Sequence, residues 1–130
     1  MSATPFFDLP LNLPHAGRVA ERIRRLIEQR AFSEDLRYLQ IADTAEALDA
    51  LLMPYRLSDQ DPAEAEALAV RAHAATFGRR LVEEVERHGL ADDRLGQCIR
   101  NLFECLALGE EGAIVSLRAG ENPDSLQRPS

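Results

Sequence analysis

Apolar residues between Asp61 and Gly89 return every three or four positions. Val70, Ala74, Phe77, Leu81 and Val85 therefore share one face of a long amphipathic helix. Asp61 is placed to cap its first turn, Pro62 suits the first helical position, and Glu64 completes a capping box. At the other end Arg87 and His88 suit the negative pole, Gly89 can take the left-handed terminating conformation, and Leu90 follows it with an apolar contact. Ala67, Ala74, Ala75 and Gly78 leave one side thin, which permits a close helix approach. Gly78 can alternatively kink the helix, and there it costs about 1 kcal/mol relative to Ala.

The same period recurs on both sides of this helix. Val19, Ile23, Leu26 and Ile27 predict a first helix from about His15 to Ala31, with Arg30 laying its stem along the same face. Ser33 is a candidate N-cap for a second segment carrying Leu36, Tyr38, Leu39 and Ile41. Asp43 and Glu46 form another capping box, predicting a short helix that buries Leu48, Leu51 and Leu52 and stops before Pro54. A last helix from about Asp92 to Leu108 presents Leu95, Cys98, Ile99, Leu102, Phe103, Cys105 and Leu106. That surface is wide enough for a central element or one shared with a partner. Gly109 and Gly112 interrupt this helix, and Ala113–Leu117 is a candidate for one more helical turn or a short extended piece.

At the N-terminus the period changes. Pro5, Pro10 and Pro14 oppose a helix, while Phe7, Leu9, Leu11 and Leu13 alternate with polar residues or proline. This predicts an extended arm over residues 1–14 that packs on its own domain or on a partner. Residues 15–119 form the helical domain, and the polar, turn-rich residues 120–130 form a disordered tail. The fold class is all-α: a bundle of four to five helices between arm and tail.

Composition agrees with helices, because Leu and Ala dominate the apolar residues and β-branched residues are scarce. A chain of 130 residues is long enough for one domain with its own core. The net charge of −7 opposes nucleic-acid and anionic-membrane binding. A helix-turn-helix reading of the two segments around Asp43 meets the same objection, since Glu34, Asp35, Asp43, Glu46 and Asp49 outnumber Arg37. Locally, Arg18, Arg22, Arg24, Arg25 and Arg30 make a basic patch. It is either a solvated face or a docking surface for an acidic partner, including a second copy. Cys98 and Cys105 lie about 10 Å apart along one helix, beyond disulfide reach. Two free thiols and the lack of a signal-like or membrane-spanning stretch point to the cytoplasm.

Candidate chemistry is sparse. His15, His73 and His88 follow no metal-ligand spacing, there is no Cys-x-x-Cys, and no glycine-rich phosphate loop occurs, so no metal and no cofactor is expected. Glu83, Glu84 and Glu86 diverge around their helix and suit a solvated face. The expected function is a non-catalytic protein–protein interaction module, an assembly factor, adaptor or small regulatory subunit, forming a homodimer. Its candidate interface is Phe7, Leu9, Leu11, Leu13, Ala74, Gly78, Leu95, Leu102 and Phe103. The alternative is a small-ligand binder or enzyme with a pocket between the last two long helices, near His73, Phe77, Cys98 and Cys105.

Overall fold

A computed structural model describes residues 11–33, 35–58, 62–90 and 93–108. Four helices make up the described chain: α1 (Leu13–Ser33), α2 (Leu39–Leu57), α3 (Glu64–Arg87) and α4 (Asp93–Cys105), with a 3-10 turn at Leu36–Tyr38 leading into α2. They run up and down. α1 and α3 each pack against both α2 and α4, so the bundle is square and its core lies on the common axis. Ile23, Ile27, Ile41, Leu48, Leu52, Leu81, Leu95, Ile99, Leu102 and Phe103 are its large, fully buried side chains.

Helix ends are tied to their neighbours across the bundle. Asn12 caps α1, its Oδ1 accepting the His15 N–H at 3.0 Å. Its own N–H donates to the Cys105 carbonyl at 2.8 Å, so one residue starts α1 and helps finish α4. Arg71 on α3 donates through Nε to the Leu106 carbonyl at 2.7 Å and through Nη2 to Ala107 at 3.2 Å. Arg37 donates to the His88 carbonyl at 3.1 Å, closing the end of α3. These cationic donors meet the negative poles of the helices they finish.

α1 and α2 approach most closely at Gly17, where an added Cβ would come within 2.8 Å of Arg56 Cβ and 2.9 Å of the Leu52 carbonyl oxygen. A charged seam borders this contact. Buried Asp49 accepts Arg24 Nε and Arg56 Nη1, each at 2.8 Å. Arg24 also reaches Glu28 at 3.1 Å, and Arg56 lies 3.8 Å from Glu21. The Asp49 hydrogen bond is the main reason the Arg24 guanidinium holds its proton more tightly than usual, partial burial opposing it. On the other side of α2, Thr44 Oγ1 donates to Glu84 Oε1 at 2.9 Å.

Four expectations are corrected. The arm does not extend to residue 14: Leu13, assigned to the candidate interface, begins α1 and is buried, and Leu11 is half-buried against the core. Pro14 is tolerated because it falls in the first turn, where its missing N–H has no intrahelical partner. Asp43 and Glu46 open no helix. α2 is already under way at Leu39, after Asp35 caps the 3-10 turn by accepting the Arg37 N–H at 2.9 Å. Ser33 belongs to α1, its hydroxyl donating to the Gln29 carbonyl at 2.7 Å. Finally, α2 continues through Pro54 to Leu57. The hydrogen bond that Pro54 denies belongs to the carbonyl of exposed Ala50, which water can satisfy, and Asp49 anchors Arg56 beyond it.

α3 begins at Glu64 with Ala63 at its N-cap, while Asp61 lies outside the described residues. Its end is as predicted. Gly89 has φ +66°, its N–H bonds to the Glu86 carbonyl, and the N–H of buried Leu90 reaches back to Val85 at 2.9 Å. Residues 1–10 and 109–130, which include Phe7, Leu9, Ala113–Leu117 and the tail, also lie outside the described residues.

Candidate functional site

The faces that the sequence offered to a second copy meet inside one chain. Ala74 and Gly78 on α3, and Leu95, Leu102 and Phe103 on α4, are all buried. α3 runs unbroken through Gly78, because the missing side chain is replaced by the Phe103 ring rather than by a bend.

The residues proposed for a pocket between α3 and α4 differ in burial. His73 is exposed on α3, and Phe77 is half-buried with the Arg80 guanidinium 5.9 Å from its ring centre. Cys98 is buried and Cys105 half-buried, both as free thiols. Burial pushes the Cys105 thiol pKa up, Glu104 adds to this and Arg18 opposes it, so Cys105 is a poor nucleophile at neutral pH. Among the described residues no group of three His, Cys, Asp or Glu side chains is placed to hold a metal ion. No described helix is long and apolar enough to cross a membrane.

Two other features stand out. The first is a cleft of about 300 Å³ between α1 and α4, lined by Arg22, Arg25, Leu26, Gln29, Arg94 and Cys98. The α1 residues fall at i, i+3, i+4 and i+7, one ridge of the helix, and Arg94 and Cys98 face them one turn apart on α4. Leu26 and Cys98 are buried and form the floor, whereas Arg22, Arg25, Gln29 and Arg94 are exposed around the rim. Arg25 Nη2 bonds to Glu21 Oε2 at 2.7 Å, which uses one of its five donors. Sequence reasoning found the basic half of this cleft on α1. Nothing local could add Arg94 and Cys98, which arrive only through tertiary packing.

The second is an apolar corner where α1 hands over to α2. Phe32 is 89% exposed, Leu36 72% and Leu39 56%, while the neighbouring Tyr38 and Ile41 are buried. The corner is held by Asp35, whose carboxylate bonds to both the backbone and the guanidinium of Arg37, an arrangement that keeps that carboxyl below its ordinary pKa. Phe32 points outward because α1 has turned its buried side to Ile23, Ile27 and Ala31. Phe32 instead follows Arg22, Arg25 and Gln29 along the outer ridge. That register was the available signal: a large aromatic aligned with arginines rather than with the core positions. Met53, Leu57 and Leu68 are also exposed.

No protein-family model matches the chain, no curated protein matches it, and no solved structure matches it.

Proposed function

We propose that this chain is a non-catalytic helical interaction module, an assembly factor, adaptor or small regulatory subunit of the cytoplasm, and that it pairs with a second copy of itself. The observation that carries this reading is the exposed corner of Phe32, Leu36 and Leu39. Apolar side chains scattered singly over a surface need no explanation, but three large ones within eight residues, where α1 gives way to α2, form a patch suited to association. A two-fold interface brings the same patch from each copy face to face, which doubles the apolar area withdrawn from water. An interface of standard size involves roughly 20–30 residues a side, so the corner acts as an anchor within a wider polar rim and the expected association is reversible. Phe7 and Leu9 remain further contributors on the strength of the sequence alone. Neither Cys98 nor Cys105 forms a disulfide, which suits a reducing compartment.

A dilution series followed by amide spectra tests the reading. Concentration-dependent shifts centred on residues 32–39 support it. Spectra unchanged over the accessible range, or shifts centred on another face, count against it.

A further inference from the structure

The geometry points to the cleft between α1 and α4 as a binding site for a small organic oxyanion, a phosphate or carboxylate carried on an apolar group. Among the described residues its lining holds Arg22, Arg25 and Arg94 and no carboxylate, with Glu21 bonded to Arg25 and Asp93 next to Arg94 just outside it, in a chain whose net charge is −7. A concentration of guanidinium groups over a concave, partly apolar floor is therefore a local reversal of the molecule's overall field. Guanidinium is the side chain best matched to oxyanions, because its planar fork can donate two parallel hydrogen bonds to one phosphate or carboxylate.

Position along the helices adds to this. Arg94 is the second residue of α4, so the cleft lies beside the positive pole of that helix and the N–H groups of its first turn. Arg25 is engaged by Glu21 through Nη2 alone, which leaves its other donors for a ligand, and Arg94 takes part in a contact of its own. The floor selects for an apolar body. Leu26 and Cys98 are withdrawn from water, and Gln29 supplies a neutral donor and acceptor at one edge. A volume of about 300 Å³ lies at the lower end of small-molecule sites and suits a ligand the size of a single ring.

The cleft adjoins the apolar corner along the α1 ridge, Gln29 lying one turn before Phe32, but the two rest on different chemistry and either can fail without the other. The competing account is that the arginines merely cover the Leu26 and Cys98 surface with their stems while their heads stay in water. The two accounts differ in what they expect of charge.

The experiment titrates the full chain with phenyl phosphate, inorganic phosphate and neutral benzyl alcohol, followed by amide shifts. The expected result is saturable binding of phenyl phosphate, on the order of 1 mM or tighter, with shifts confined to residues 22–29 and 94–98. Inorganic phosphate should bind about tenfold more weakly, since it leaves the floor empty. Arg25→Gln and Arg94→Gln should each weaken phenyl phosphate about tenfold, and added salt should weaken it further. Arg25→Lys and Arg94→Lys, which keep the charge without the fork, should recover only part of the loss. All four side-chain positions of the rim are exposed, so the variants should keep the parent's thermal midpoint. No saturation by phenyl phosphate, equal shifts from benzyl alcohol, or undiminished binding by both Gln variants would each overturn the assignment.

Discussion

The ring of Phe103 fills the space that a side chain at position 78 would occupy: a Cβ on Gly78 would lie 2.8 Å from Phe103 Cζ and 3.1 Å from Cε1. Two effects of opposite sign follow for Gly78→Ala. Helix propensity favours Ala by about 1 kcal/mol, whereas overpacking a fixed core costs about 1–3 kcal/mol. Phe103 is fully buried, and close-packed interiors leave a ring little room to move, so the clash should win. Gly78→Ala should lower stability by about 1–2 kcal/mol in chemical denaturation. Pairing it with Phe103→Leu, which opens the space, should make the Ala substitution cost less than it does alone.

The seam between α1 and α2 makes a different demand. Asp49 bonds to Arg24 and Arg56 at 2.8 Å each, and its side chain is only 5% exposed. Removing the carboxylate leaves two guanidinium groups facing each other without their shared partner. Because both arginines retain some contact with water, Asp49→Ala should cost about 3 kcal/mol, the lower end for breaking a buried pair. Replacing Asp49, Arg24 and Arg56 together with Leu, Met and Met should recover most of that loss, because the apolar trio has no charge to desolvate. Urea midpoints for the parent, the single and the triple variant decide it.

α3 and α4 end with the same hydrogen-bond pattern but different residues in the strained position. Gly89 has φ +66°, and Ala107 has φ +63°, with the Leu108 N–H reaching back to the Phe103 carbonyl at 2.7 Å. The left-handed conformation costs a residue with a Cβ about 1 kcal/mol. Ala107→Gly should therefore stabilise the chain by about 1 kcal/mol, and Gly89→Ala should destabilise it by a similar amount. Thermal unfolding of the two variants should move in opposite directions.

Cys105 gives a pH dependence whose sign is set by burial, with Glu104 adding and Arg18 opposing. Its folded-state pKa is raised, so its contribution to stability is complete below the unfolded thiol value of about 8.5 and is lost as pH climbs through the folded value. Stability should fall more steeply above about pH 9 in the parent than in Cys105→Ala, and alkylation of Cys105 should be slow at neutral pH. Denaturation midpoints from neutral to alkaline pH, with Cys98 present in both chains, provide the comparison.

How far the sequence could be read depended on the range of each interaction. The α3 ending was legible because Gly89 and Leu90 act within one turn of the helix they finish. The small side of α3 was legible too, but a sequence cannot distinguish Phe103 of the same chain from a residue of another. Local signals failed where tertiary contacts outweighed them. Asp43 and Glu46 have the spacing of a capping box, yet both are exposed mid-helix in α2, whose start was set by Asp35 and Arg37 instead. Pro14 and Pro54 were read as breakers, although each falls where its missing N–H or its clash is cheap. The two surface features needed the fold. Arg94 joins Arg22 and Arg25 only across α1 and α4, and Leu36 and Leu39 stand out only once Tyr38 and Ile41 are seen to be buried.

Self-association through the apolar corner is the central claim, and absolute mass by light scattering over a concentration series tests it most directly. The chain should be compared with Phe32→Ser/Leu36→Ser/Leu39→Ser. The account predicts a mass that rises from one chain toward two in the parent, and a monomer with an unchanged unfolding midpoint in the variant. A parent that stays monomeric at every concentration, or a variant that dimerises as well as the parent, would contradict it.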